Sequence, residues 1–493
     1  MAIFNTHLIV IMTLIINIST YAQETPLVSL KKTIANMAAA KGMENASFGM
    51  CVLNANTGEI VAQHDMNRSL VTASTMKVIT TTSALALLGE DFRYKTLLEY
   101  DGTIENGTLL GNLYIKGSGD PSLGSDRFGA GNSMAAVLTK WGEALRKAGI
   151  LHINGKIIGD ASVFSSQNVP DNWSWQDLGN YYGAGPTGLC INENQYEIHL
   201  KTGDKEGEPV SLLYWDKNVR NLQFVNELTT GEAHSGDNSF IYGAPYTYLR
   251  YIRGSLPPNH DDFVIKGSIP DPESYCAEMF CDRLAEMGIP TSAGFGGMAQ
   301  EKMAGNSHAE SRKTLHIHTS PTLKDIVYWT NLRSINLFAE CMLCTIGLIK
   351  KGIGSTKAGL EAVQSYWTDR GIPMEGMFLT DGSGLSPNNA ATAYQMALLL
   401  KKVQTDKSYP SFYNSLPTAG QTGTLAGMCE GTAAEGNVHA KSGYMTRVRT
   451  YAGYVETKSG KKLCFAMFAN NYNDKAKDMK ARLEELMVKM AEL

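Results

Sequence analysis

Residues 72–89 read TASTMKVITTTSALALLG. Ser74 stands three residues before Lys77, and apolar residues follow at helical spacing, so the stretch predicts a long buried helix with a serine near its start. Serine and lysine at i and i+3 share one face of a helix. A serine hydroxyl is a poor nucleophile until a base takes its proton. A lysine can be that base when burial or nearby positive charge lowers its pKa, and a helix N-terminus favours an oxyanion forming beside it. The spacing alone is weak. Ser29/Lys32 repeats it in an amphipathic helix and Ser459/Lys462 repeats it in a turn, so the rest of the chain has to decide.

At 493 residues the chain has room for two or three domains. Its 43% apolar and 19% charged residues are those of a globular protein, and a formal net charge of −4 argues against a nucleic-acid partner. The run HLIVIMTLIINIST (residues 7–20) is short for a membrane span, and small Thr20 and Ala22 suit signal cleavage. Residues 1–22 are therefore expected to be a signal peptide. The mature chain, from Gln23, is expected to be exported to the periplasm, with at most peripheral membrane association. Eight cysteines permit disulfides in that compartment, but their spacing, as in AECMLCTIG, suits buried free thiols better. No His/Cys group has zinc spacing, and neither a metal nor a cofactor is expected.

Residues 27–42 predict an amphipathic helix, and ASFGMCVLNANTGEIVAQHD (46–65) two strands joined at Asn-Thr-Gly. Near Phe92 the pattern changes to short alternating segments, which predicts a β-rich insertion, with a polar stretch KTGDKEGEP (201–209) opening a further section to about Asp262. Helical patterns return after Thr314. Three antiparallel strands follow at about 437–445, 448–457 and 461–469, then a last helix at 475–492. The fold class is α/β in the α+β sense: helices flanking an antiparallel sheet whose two halves lie far apart in sequence.

A serine–lysine site of this type needs two companion motifs, S-x-N and K-[ST]-G. Candidates for the first are Ser166-Gln167-Asn168, Ser334-Ile335-Asn336 and Ser386-Pro387-Asn388; for the second, Lys201-Thr202-Gly203, Lys441-Ser442-Gly443 and Lys458-Ser459-Gly460. The second motif requires a lysine on a strand, a hydroxyl beside it, and a glycine that lets a substrate backbone lie close. Lys441 precedes an aromatic, alternating strand. Lys458 falls at a hairpin turn and Lys201 in a polar loop-rich stretch. Ser334 lies in the helical region after the insertion, Ser386 in a glycine-rich loop, and Ser166 within the insertion. Lys441 and Ser334 are the choices.

With these in place the chain resembles the class C penicillin-binding proteins, the D-alanyl-D-alanine carboxypeptidase/endopeptidases of the DacB type. The resemblance rests, in order, on ASTMKVITTTSALALLG, GSGDPSL, GDASVF, NWSWQDLGNYYGAGPTGLCINEN, RSINLFAECML, LTDGSGLSPNN, LPTAGQTGTLAGM and HAKSGYMTRVRTYAGYV. It implies a penicillin-binding/transpeptidase-like (serine β-lactamase-like) core, residues 23–91 and 315–493. That core would be split by inserted domain II (92–200 and 263–314) with domain III (201–262) nested inside it.

The resemblance also assigns roles. Ser74 is the acylated nucleophile and Lys77 its base. Ser334 relays a proton to the leaving amine, helped by Lys441. Asn336 hydrogen-bonds the substrate amide, and Ser442 binds the terminal carboxylate beside Gly443. The N–H groups of Ser74 and Tyr444 form the oxyanion hole, while Asp160 and Phe164 approach the third residue of the peptide. Peptidoglycan peptides would be the substrates and β-lactam antibiotics covalent inhibitors. The chain departs from the family at Ile335 (usually Asp), Ser442 (usually Thr) and Tyr444 (usually Thr). The glycines and asparagines of residues 381–389 are expected to form turns, and Trp173 and Trp175 to pack within the insertion. Rival readings are a serine β-lactamase or esterase on the same core, and a non-catalytic penicillin- or peptidoglycan-binding protein.

Overall fold

The computed structural model describes residues 25–215, 219–308 and 311–493, so the expected signal segment lies outside the described residues. Its organising element is a five-stranded antiparallel sheet assembled from both ends of the chain. Strands β1 (Ser47–Asn54), β2 (Ile60–His64), β3 (Val438–Met445), β4 (Val448–Glu456) and β5 (Lys462–Asn470) lie in the order β3-β4-β5-β1-β2. β1 pairs with β5 along its whole length, from Ser47 opposite Asn470 to Asn54 opposite Leu463. β4 and β5 are buried on both faces and read as nearly continuous apolar runs, whereas β3 is an edge strand with one side open.

Helices cover both faces of the sheet. On one, α1 (Pro26–Ala38) lies against α5 (Ala476–Ala491). Met479, Leu483, Leu486, Met487 and Met490 recur at helical spacing and join Leu30, Ile34 and Met37 over Met50, Phe465 and Met467. Each such side chain stabilises the fold by about 1.5–3 kcal/mol relative to exposure. The other face carries α2 (Met76–Leu88), α3 (Leu323–Arg333) and α4 (Asn336–Lys351) in one core with Cys51, Ala452, Ala466 and Phe468.

α2 is buried all round from Met76 to Leu85 even though it contains Thr80, Thr81, Thr82 and Ser83. Those hydroxyls are satisfied locally. Thr81, Thr82 and Ser83 donate to the carbonyls of Lys77, Val78 and Ile79 at 2.6–2.7 Å, and Thr80 donates to Gly382 O at 2.6 Å. The α helix itself starts at Met76, so Ser74 sits in a short 3₁₀ turn before it rather than in the helix.

The intervening residues leave and rejoin through paired strands: 95–100 runs antiparallel to 313–319 at the edge of a second five-stranded sheet. Three three-stranded sheets lie within the insertion, 103–105/108–110/152–153, 211–215/195–201/263–268 and 223–230/249–256/240–242. One apolar cluster runs through all of this, from Leu98 to Ile289. The region is less purely β than its alternating segments suggest. Pro272–Glu286 is the expected helix, but Met134–Lys147 is a second one, with Val137, Leu138, Trp141 and Leu145 buried on one face. All eight cysteines are free thiols, buried except for Cys281. Among the described residues no helix is long and apolar enough to cross a membrane.

Candidate active site

Ser74 is presented by a strained turn. Ala73 before it is fully buried with φ +43°, a conformation that costs a non-glycine residue energy and persists only where its surroundings enforce it. Here Thr450 Oγ1 and Thr75 Oγ1 both donate to Thr72 O, at 2.7 and 2.6 Å. Edge strand β3 runs so close that a Cβ on Gly443 would collide with Thr450 Oγ1 and lie 3.0 Å from Ser74 N. This close approach is why the motif ends in glycine.

Lys77 is fully buried one turn on. Its Nζ lies 3.0 Å from Ser74 Oγ, 2.6 Å from Asn336 Oδ1 and 2.7 Å from Ser383 O. All three contacts are neutral oxygens. Burial lowers the amine to about 7, opposed by the more distant negative charges of Asp381 and Glu340. In the neutral form its two N–H bonds suit the two carbonyl oxygens and its lone pair is left for the Ser74 hydroxyl.

Ser334 and Asn336 sit at the break between α3 and α4. Ser334 caps α3 in the left-handed region, φ +58°, and Asn336 opens α4. This corrects the expectation of one continuous helical stretch and turns both side chains inward from the break. Ile335 packs onto the core, so the family's Asp is replaced at a position that meets apolar neighbours. Lys441, fully buried on β3, donates to Ser334 Oγ at 2.9 Å and to Ser442 O at 2.7 Å. Burial and then the charge of Lys77 hold it well below the usual lysine range. Ser442 Oγ donates to Thr424 Oγ1 at 2.7 Å. One cleft is lined by Ser74, Ser334, Ser442 and Tyr444 together with Arg449 and Lys480. Tyr444 is more than half exposed.

Two features of this site lie outside the motifs. Residues 381–389 do more than form turns. Gly382 and Ser383 give their N–H groups to buried Glu340, at 3.0 and 2.7 Å, and this aims Ser383 O at Lys77. Asp381 accepts from Gly384 N, Ser386 N and Asn389 Nδ2 at 2.7–2.8 Å. Its remaining contact is Trp173 Nε1, 2.8 Å away, so Trp173 ties the insertion to this loop instead of packing within the insertion. Trp175 is half exposed against Tyr242. The carbonyl of Tyr182, also from the insertion, accepts from Asn336 Nδ2 at 2.8 Å and so turns Oδ1 toward Lys77.

Asp160 and Phe164 do not line the cleft at Ser74. Asp160 bonds Arg312 at 2.7 Å, and Phe164 packs against Gly119 and Gly354. The alternative motifs lie elsewhere. Lys201 pairs with exposed Asp261 at 2.8 Å, and Ser459 bonds Thr457 in the β4–β5 turn. Among the described residues no cluster of His, Cys, Asp and Glu could hold a metal ion.

Comparison with known proteins bears on the same chain. The sequence profile described as the D-Ala-D-Ala carboxypeptidase 3 (S13) family matches residues 30–491. The chain is 28% identical over 442 residues to D-alanyl-D-alanine carboxypeptidase DacB of Haemophilus influenzae, covering 87% of this chain and 86% of that one. It is also 28% identical over 465 residues to a D-alanyl-D-alanine carboxypeptidase of an Actinomadura species, covering 91% and 82%. The crystal structure of penicillin binding protein 4 (dacB) from Haemophilus influenzae superimposes with a TM-score of 0.79 at 24% identity, over 93% of this chain and 98% of that one.

Proposed function

The chain belongs to the D-Ala-D-Ala carboxypeptidase 3 (S13) family, and on that premise we propose that it hydrolyses the D-Ala-D-Ala ends and cross-links of peptidoglycan stem peptides through an acyl-enzyme on Ser74. The observation that carries this reading is Ser74 Oγ at 3.0 Å from a fully buried lysine that meets only neutral oxygens. Neutral Lys77 takes the Ser74 proton as Oγ attacks the scissile carbonyl. The N–H groups of Ser74 and Tyr444 receive the oxyanion. Ser334, held by the Lys441 hydrogen bond at 2.9 Å, then passes a proton to the departing amine and recovers one from the Lys77 ammonium, so that the proton taken from Ser74 ends on the leaving group. Water cleaves the ester and returns Ser74. β-Lactams take the place of the peptide and acylate the same serine. Such substrates put the enzyme in the cell envelope, consistent with the export segment expected at residues 1–22. We assign catalysis to residues 23–91 and 315–493, and to the insertion a supporting part through Tyr182 and Trp173.

The β-lactamase alternative needs a carboxylate free to activate the deacylating water. The two acids nearest Lys77, Glu340 and Asp381, are both engaged by backbone N–H groups of the 381–389 loop. Incubation with labelled penicillin, followed by release of D-alanine from a pentapeptide, tests the proposal. The wild type should form a long-lived adduct and release D-alanine, and Ser74→Ala should do neither. Absence of both in the wild type would refute the reading, and rapid release of hydrolysed penicillin would favour the lactamase.

A further inference from the structure

Glu340, one turn into α4, is a fully buried carboxylate that the reaction as derived does not use. A buried charge is costly, and an amide or apolar side chain would fill the same space without one. Its hydrogen-bond partners are backbone groups. Gly382 N–H is shared between the two carboxylate oxygens at 3.0 Å each, and Ser383 N–H donates to Oε1 at 2.7 Å. A proton on either oxygen would face one of these donors, so the contacts hold the group as a carboxylate near neutral pH, opposing burial and the charge of Asp381, which push its pKa up. The segment they hold, 382–384, meets both members of the Ser74–Lys77 pair. Ser383 O accepts from Lys77 Nζ at 2.7 Å, and Gly382 O accepts from Thr80, one turn further along α2, at 2.6 Å. Gly384 lies against the strained residue that presents Ser74, where a Cβ would collide with Ala73 O. When Lys77 takes the Ser74 proton, an ammonium forms in a fully buried place. Ser383 O is there to accept its N–H, and Asp381 and Glu340 are the negative charges that reach it.

We propose that Glu340 is a positioning residue for acylation: through the peptide 382–384 it fixes Lys77 against Ser74, and its charge stabilises the ammonium that forms as Ser74 is deprotonated. This rests on the hydrolytic reading above. Glu340 touches neither the substrate nor the reacting atoms. It acts through Ser383 O and by Coulomb attraction across a water-excluded core, where a fixed charge is felt more strongly than in water. A glutamine could accept both N–H groups on one oxygen, but it would turn an amide N–H toward Gly382 and carry no charge. The titratable groups that feel Glu340 are Asp381 in the loop, Lys77 on α2 and Cys344 on its own helix.

The test is acylation by labelled penicillin in Glu340→Gln, read as labelled sites per folded molecule, as the rate constant at saturating penicillin and as its pH midpoint. Labelling should stay near one site per molecule while the rate constant falls by about 10- to 100-fold, the range for one hydrogen bond to a charged group. The midpoint should move below its wild-type value, because removing a negative charge and loosening Ser383 O both disfavour the Lys77 ammonium. Glu340→Asp keeps the charge on a shorter arm and should recover the midpoint more fully than the rate. Thr80→Val removes the second tie to the same peptide and should lower the rate severalfold. Thr82→Val loses only bonds to carbonyls of its own helix and should leave rate and midpoint unchanged. A Glu340→Gln enzyme whose folded fraction acylates at the wild-type rate with an unmoved midpoint overturns the proposal, and so does a midpoint that moves up. If Glu340→Gln does not fold, equal effects of Thr80→Val and Thr82→Val overturn it instead. If the wild type shows no Ser74-dependent labelling, the parent reading falls and this one with it.

Discussion

Two buried polar clusters in this molecule hold their cations in different ways. In the insertion, Arg312 Nη1 lies 2.7 Å from Asp160 Oδ2 and 3.8 Å from Glu99 Oε2, with its guanidinium 3.8 Å from the Tyr114 ring centre. Burial pushes the Asp160 carboxyl up, but hydrogen bonds from Ser162 and Arg312 outweigh it and hold the pKa below the usual value. In the cleft, Lys77 touches a hydroxyl, an amide oxygen and a peptide carbonyl, and its two acids act only at longer range. Burial wins there and the amine falls to about 7. A cation in contact with a carboxylate stays charged and serves the fold. A cation that meets only neutral oxygens can give up its proton near neutral pH and serve chemistry.

The largest effect should come from breaking the second arrangement. Lys77→Met should lower the penicillin acylation rate by about 10²- to 10⁴-fold. Lys77→Arg should lower it as far, because an arginine keeps the charge but cannot act as a base. If Lys77→Arg keeps most of the rate, the charge matters and the base does not. In the wild type, acylation should rise with pH through about 7 as Lys77 loses its proton, then level off. The same shift enters stability. The folded-state pKa lies near 7, below the unfolded-state value of about 10, so over that window the unfolded chain binds the extra proton. Wild-type stability relative to Lys77→Met should therefore rise with pH between those limits.

The first arrangement should break differently. Arg312→Met leaves Asp160, almost wholly buried, without its cation. The expected loss is about 3–5 kcal/mol of stability by chemical denaturation, with kcat/KM of the folded enzyme changed less than threefold. A tenfold loss of activity toward stem peptides would instead mean that the Asp160–Arg312 pair takes part in substrate recognition.

The serine, the lysines and the companion motifs that the structure brings together were legible because each is a set of side chains with a fixed spacing: Ser74 to Lys77, Ser334 to Asn336, Lys441 to Gly443. The strands β3–β5 were legible from alternation and from the turn at Lys458–Gly460. What escaped acts through the backbone or across the chain. The carbonyl of Ser383 and the N–H groups that Glu340 holds carry no residue-type signature, so the 381–389 loop reads as turns. The break at Ser334 has no glycine or proline to announce it, and its left-handed conformation is imposed by packing. The helix 134–147 was hidden between strongly alternating neighbours, although its 137/138/141/145 spacing could have revealed it. Arg449 lies within HAKSGYMTRVRTYAGYV, but no motif spacing marks it as part of the site. It reaches the site only because β4 pairs with β3 in this register.

Trp173 offers the smallest and most discriminating test, because it joins the two regions. Its indole N–H is one of four donors on Asp381, and the other three come from the 381–389 loop itself. Trp173→Phe keeps most of the apolar ring and deletes that one bond to a buried carboxylate, which should cost about 1.5–3 kcal/mol. Asp381 would still hold Gly384 and Ser386, so the loop should stay folded, but one carboxylate oxygen would lose a partner next to the segment that aims Ser383 O at Lys77. The expected outcome is a lower melting temperature together with a fall in acylation rate of no more than about tenfold and a shifted pH midpoint, since Ser383 O is one of the three groups that set the environment of Lys77. Trp175→Phe, at an exposed ring two residues on, should change neither by more than about 0.5 kcal/mol. If Trp173→Phe lowers stability but leaves the pH midpoint of acylation where it was, then the insertion braces the fold and has no hold on the base.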